Sequence, residues 1–144
     1  MSKVKRKLTT ILATDCVGFS KRMDENEELT LENLKACRSI IDPQIKEFGG
    51  RIFYTAGDSV IAEFESPVEC VNAAIGFQKA INDRNNTLPQ ESQLDWRVGI
   101  HLDDVIIEGD NVYGNGVNIA ARLETACSPA VSYTHLRAHE TPAN

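Results

Sequence analysis

No run of apolar residues in this 144-residue chain approaches the roughly 18 to 20 needed to cross a bilayer, and the N-terminus lacks an apolar signal-peptide core. The expectation is a cytoplasmic domain with no direct membrane insertion in this segment, although a longer parent protein could carry an anchor. Cysteine is sparse and scattered: Cys16, Cys37, Cys70 and Cys127 form no C-x-x-C pair and no ladder of ligand spacing. They read as reduced, mostly buried thiols. Positive charge is also short. A net charge of −6 argues against nonspecific binding to DNA, RNA or an anionic membrane, all of which are themselves negative. The single basic run, Lys3 to Lys7, reads as a solvated linker over residues 1–7 in preference to an anionic-lipid contact.

The residues that are present describe one domain, or part of one. Hydrophobic content of 42% and charged content of 25% are ordinary for a globular chain, and no segment is poor enough in apolar residues to stay disordered. Residues 8–14 (LTTILAT) are apolar and β-branched, so they predict a central strand that opens into a loop at Asp15 and Gly18. From about Glu25 to Phe48 the positions Leu34, Cys37, Ile41, Ile45 and Phe48 follow a helical period, which Pro43 should kink or divide. Residues 51–65 predict a hairpin with Gly57 and Asp58 at its tip. Ser66, Pro67 and Glu69 mark a helix start, and Val68, Val71, Ile75 and Ile81 are its expected buried stripe. A polar loop then leads to a strand LDWRVGIHL, a short strand VII, a turn at Gly109-Asp110-Asn111 and a last helix from about Asn115 to Ala126. This order predicts an α+β sandwich with helices on one face of a largely antiparallel sheet.

Asp15 and Asp58 each lie at the end of an apolar strand pattern near a glycine, Asp58 directly after Gly57 and Asp15 three residues before Gly18. An isolated aspartate there is usually a turn former or a helix cap. Two such sites on neighbouring strand ends suggest a carboxylate pair that holds Mg²⁺ against nucleotide phosphates. Gly18 lets the loop through Phe19 and Ser20 turn backbone N–H groups toward a triphosphate. Arg97 reads either as a phosphate contact or as an ordinary ion pair. Asn118 and Arg122, four residues apart, would share one face of the last helix. His101 and Trp96 read as structural residues. The His135, His139 and Glu140 cluster lacks a third ligand of suitable context for zinc.

Taken in order, TDCVGFS, TAGDSVIAEF, WRVGIH and YGNGVNIAARLE resemble the catalytic domain of the class III adenylate and guanylate cyclases, with the bacterial adenylate cyclases as the nearest pattern. The resemblance runs from about residue 7 to residue 129. It implies a ferredoxin-like (βαββαβ) core and a head-to-tail homodimer with active sites between the protomers. It also implies two Mg²⁺ or Mn²⁺ ions per site, held by Asp15 and Asp58, with Arg97 on the triphosphate. Asn118 and Arg122 would come from the partner, one orienting the ribose and the other stabilising charge on the α-phosphate. The implied reaction is conversion of ATP to 3′,5′-cyclic AMP and pyrophosphate by attack of the ribose 3′-hydroxyl on the α-phosphate.

Two positions depart from that family. Where its members commonly have a purine-selecting lysine and an aspartate or threonine, this chain has Tyr54 and Asn111, so GTP or a pyrimidine triphosphate stays open as substrate. Either residue reads equally as a packed strand or turn residue. After Pro129 the segment AVSYTHLRAHETPAN is unlike the family, so residues 8–129 read as a partial catalytic domain and residues 130–144 as a foreign tail. A truncated domain should be marginally stable, with weak or no activity. Two alternatives to an active cyclase remain: a silent cyclase-like dimerisation module, and a diguanylate-cyclase-like phosphotransferase. AGDS at the hairpin tip, in place of a G-G-D/E-E-F string, counts against the second.

Overall fold

A strand with partners on both edges and packing on both faces favours apolar and β-branched residues, and LTTILAT has that composition; the buried Thr9 and Thr14 hydroxyls donate to the Phe64 and Arg97 carbonyls. In a computed structural model of the chain, which describes residues 5–113, this segment forms β1 (Lys5–Cys16), the middle strand of a five-stranded sheet. It is followed by α1 (Phe19–Glu25), α2 (Glu27–Glu47), β2 (Arg51–Ala56), β3 (Ser59–Phe64), α3 (Pro67–Asn85), a short 3₁₀ turn (Gln90–Ser92), β4 (Trp96–Glu108) and β5 (Asn111–Tyr113). The strand order is β2-β3-β1-β4-β5, and every pairing is antiparallel. This is the α+β, ferredoxin-like arrangement expected from the sequence.

Alternation along β1 divides the core. Leu12 and Cys16 face the helices, where they join Ile41, Ile45, Val60, Phe64, Phe77, Trp96 and Val98. Ile11 and Ala13 face the other way and form a smaller cluster with Val105 and Val112, against Phe53, Ile61 and Ile107. Each large side chain buried in this way stabilises the fold by about 1.5–3 kcal/mol.

Several local expectations are corrected. β1 begins at Lys5, so Lys5, Arg6 and Lys7, read as the end of a linker, are strand residues paired with Ile107, Ile106 and Val105. Pro43 does not divide its helix. α2 runs unbroken through it, with the proline on an exposed position. The break comes earlier, at Asn26, whose extended backbone (φ −162°) ends α1 and caps α2 by accepting the Leu29 N–H at 3.1 Å. The short helix α1 was not anticipated. In α3, Ser66 caps as expected, accepting the Glu69 N–H at 3.2 Å, with Pro67 in the first turn. Its buried stripe, however, is Cys70, Ala73, Ala74, Phe77 and Ile81, whereas Val68 and Ile75 are exposed. Small side chains share that face with Phe77 and Ile81, and α3 comes close enough to α2 that a Cβ at Gly76 would lie 2.5 Å from Gln44 Oε1. LDWRVGIHL and VII are one strand, β4, because pairing with β1 continues past Asp103 and Asp104.

Candidate active site

Gly18 and Gly57 both have positive φ, +65° and +58°, a backbone state that L side chains rarely adopt. Gly57 turns the β2–β3 hairpin, and Gly18 turns β1 into α1. Each turn leaves its aspartate at the same end of the sheet. Asp58 is tied there by backbone: the Cys16 N–H donates to Asp58 Oδ2 at 2.8 Å. Asp15 is therefore the immediate neighbour of the residue that holds Asp58. The predicted carboxylate pair is brought together, contributed by two strand ends 43 residues apart in sequence (15 to 58).

Arg97 completes the cluster. It lies opposite Asp15 in the β1–β4 register, on the sheet face away from the helices. Its Nε donates to Asp15 Oδ1 at 3.0 Å and its Nη2 to Oδ2 at 2.9 Å, so the guanidinium grips both carboxylate oxygens. The side chains are 22% and 16% exposed. Of the two sequence readings of Arg97, the structure shows the ion pair.

Burial pushes the Asp58 carboxyl above its ordinary value, and the nearby Asp15 charge adds to that, while the Cys16 N–H and Arg97 act against it. Cys16 lies on the other side of the strand, in the helix-facing core. Burial, reinforced by Asp58, pushes its thiol up to about 12, so it is not a nucleophile.

The loop after Asp15 is used more selectively than expected. The Cys16 N–H serves Asp58, and the Val17 N–H donates to the Asp95 carbonyl at 2.8 Å. Neither points to an outside anion. Gly18 is the N-cap of α1 and supplies no side-chain cap, so the N–H groups of Phe19 and Ser20 stand at an uncapped helix start. Phe19 anchors the turn by packing its ring against the helix-side core. Asn85 steadies the facing loop: its Nδ2 donates to the Leu94 carbonyl at 2.9 Å and its Oδ1 accepts the Leu94 N–H at 3.3 Å. Sequence reasoning missed Asn85. Its one signal was a polar residue in phase with the buried face of α3.

Tyr54 reaches the Asp15 face of the sheet through an irregularity. The β2–β3 register shifts between Ile52 and Tyr54. Ile52 packs on the helix side, yet Tyr54, two residues later, pairs with Ile61 of the opposite cluster. A bulge at Phe53 therefore reverses the usual alternation. Tyr54 is half exposed.

Asn111 is not a turn residue. It opens β5 opposite Glu108, and the turn is Gly109-Asp110. That hairpin lies at the far end of the β1–β4 ladder from Asp15, where Arg51 Nη1 and Nη2 donate to the Asp110 carbonyl at 3.2 Å. One chain thus separates Asn111 from the carboxylate pair. Asn118 and Arg122 lie outside the described residues, as does the segment 130–144. His101 lies within β4 opposite Ile11, and Trp96 is fully buried.

Among the described residues, no three His, Cys, Asp or Glu side chains gather as a metal-binding group, and no helix is long and apolar enough to cross a membrane. Two adjacent carboxylates are a donor set for a hard cation that takes its remaining ligands from water and phosphate, which Mg²⁺ does.

Comparison with known proteins agrees with this architecture. The model of the family described as "Adenylate and Guanylate cyclase catalytic domain" matches residues 2–134. A Rhizobium meliloti (strain 1021) protein named "Putative adenylate cyclase 3" is 37% identical over 127 residues, 88% of this chain. The chain spans only 22% of that protein's length. The crystal structure of an adenylate/guanylate cyclase/hydrolase from Silicibacter pomeroyi superposes with a TM-score of 0.82 at 31% identity, covering 95% of this chain and 84% of that one. The adenylyl cyclase CyaB from P. aeruginosa, at 22% identity and a TM-score of 0.76, shares the fold over 94% of this chain.

Proposed function

The chain belongs to the adenylate and guanylate cyclase catalytic domain family, and from that premise we propose that it is a nucleotidyl cyclase converting ATP to 3′,5′-cyclic AMP and pyrophosphate. The observation that carries the proposal is the meeting of Asp15, Asp58 and Arg97 at one end of the sheet.

Asp15 and Asp58 would hold the divalent ions, Mg²⁺ or Mn²⁺, two to a site. When bound, these ions neutralise phosphate charge and lower the pKa of the ribose 3′-hydroxyl. The N–H groups of Phe19 and Ser20, beside Gly18, are suited to phosphate oxygens because an uncapped helix start presents unpaired donors. Arg97 supplies a planar cation beside the same carboxylates and is suited to a phosphate of the incoming triphosphate. Tyr54, turned to this face by the bulge, offers a ring and a hydroxyl to the base.

The site is completed by a second copy of the chain. Asn111 lies at the opposite end of the β1–β4 ladder, about ten strand residues from Asp15, a contour on the order of 30 Å. A nucleotide at Asp15 is thus out of reach of Asn111 of the same chain, and a contact from that position would come from Asn111 of the partner subunit in a head-to-tail homodimer. Asn118 and Arg122 of the partner subunit would then orient the ribose and stabilise charge on the α-phosphate, and product release would feed cytoplasmic signalling.

The departures at Tyr54 and Asn111 favour a second reading, in which the domain dimerises or binds nucleotide without turnover, or accepts GTP or a pyrimidine triphosphate. The Asp58→Ala variant separates turnover from binding without turnover, and the triphosphate that yields cyclic product names the base. In an active enzyme the variant loses cyclic product while sedimenting as the same dimer; a silent module gives no product from either protein.

A further inference from the structure

We infer that Arg97 is the resident counter-ion of Asp15, occupying the metal's carboxylate in the free protein and leaving it when a divalent cation and a polyphosphate arrive together. This deepens the reading of Asp15 and Asp58 as the metal pair and rests on it.

The geometry is specific. Asp15 and Arg97 are direct cross-strand partners on one sheet face, so the β1–β4 register fixes their approach before either side chain chooses a rotamer. The guanidinium uses its fork: Nε to Oδ1 at 3.0 Å, Nη2 to Oδ2 at 2.9 Å, and Nη2 also 2.9 Å from Oδ1. Both oxygens of Asp15 are engaged. Asp58 is held differently, by a neutral backbone N–H on Oδ2. Of the two carboxylates, Asp15 is the one gripped through both oxygens by a side-chain cation.

Without a cation, two neighbouring carboxylates repel each other, and Arg97 relieves that repulsion in the free state. A divalent ion on Asp15 needs the oxygens that Arg97 already holds, and two cations on one carboxylate repel in turn. Arg97 and the metal therefore compete for Asp15. Arg97 departs at low cost only when another anion receives it, and a bound polyphosphate is such an anion. Metal binding and polyphosphate binding are then positively coupled through one side chain, and the coupling is reciprocal. Metal alone should bind the free protein weakly.

The test is a titration of the 144-residue chain with Mn²⁺ alone, reading unbound Mn²⁺ by electron paramagnetic resonance. It compares the wild type with Arg97→Gln, Arg97→Lys and Asp15→Asn. Removing the competitor should tighten Asp15-dependent Mn²⁺ binding by roughly three- to tenfold in Arg97→Gln. In Arg97→Lys, which keeps the charge and loses the fork, the gain should be about twofold. Should Arg97→Gln fail to fold with its carboxylates uncompensated, the lysine variant decides. Unchanged affinity in the folded Arg97 variants, with binding still lost in Asp15→Asn, would overturn the counter-ion role and leave the metal pair standing. If no protein shows Mn²⁺ binding that depends on Asp15, the metal pair itself is wrong.

Discussion

The backbone N–H of Cys16 donates to Oδ2 of Asp58 over 2.8 Å, so the residue that follows one aspartate of the site fixes the position of the other. The donor is main chain, so in this contact only the Asp58 side chain gives up rotamer freedom. The spacing of the pair is set by the pairing of β1 with β3 and by the glycine turn at residue 57.

Asp58 carries a cost in that arrangement. Burial raises its folded pKa above the ordinary 3.8, so between 3.8 and the raised value the folded state binds more protons than the unfolded one. Stability from this group is full below pH 3.8 and is lost as pH rises through the raised pKa. In Asp58→Asn the Cys16 N–H keeps an acceptor and the charge is gone. The metal-free wild type should therefore lose melting temperature relative to Asp58→Asn as pH is raised from about 3.5 to 7. A constant difference across that range would mean that Asp58 is not desolvated.

How much of this was legible beforehand depended on how locally each feature is encoded. The central part of β1, the hairpin tip at Asp58 and the Ser66 cap are written in short patterns of burial, glycine and capping chemistry, and there sequence and structure agree. In the stripe of α3 they differ, because the reading favoured Val68 and Ile75 for size, whereas the buried face carries Ala73 and Ala74. Likewise β4 was divided at Asp103 and Asp104, although its continuity comes from pairing with β1 and no local signal carries that. The bulge beneath Tyr54 and the grip of Arg97 on Asp15 are tertiary facts. Sequence could nominate those residues but not aim them.

Asn85 should matter to stability more than its helix-end position suggests. Replacing it with alanine leaves the N–H and carbonyl of the buried Leu94 without their partner, a loss of about 1–3 kcal/mol in urea unfolding. Asn86→Ala, one position on and exposed, should change stability by less than about 0.5 kcal/mol.

The bulge at Phe53 gives β2 an internal control for base contact. Tyr54 faces the Asp15 side of the sheet, whereas Thr55 pairs with Val60 of the helix-side core. Tyr54→Ala should change the ratio of kcat/KM for ATP over GTP by about tenfold, and Thr55→Ala by less than about twofold. Equal effects from the two would remove Tyr54 from base selection.

The central claim is that the carboxylate pair supports cyclisation of a nucleoside triphosphate. The measurement that tests it most directly is incubation of the chain, and of a version carrying a family-like segment in place of residues 130–144, with ATP, GTP, CTP and UTP in turn, with Mg²⁺ or Mn²⁺, reading cyclic nucleotide and pyrophosphate by mass spectrometry. The account predicts 3′,5′-cyclic AMP and pyrophosphate in equal amounts from ATP, dependent on the metal and absent in Asp58→Ala. A folded dimer of the version with the family-like segment that yields no cyclic product from any of the four triphosphates would contradict it and assign the domain to binding without turnover.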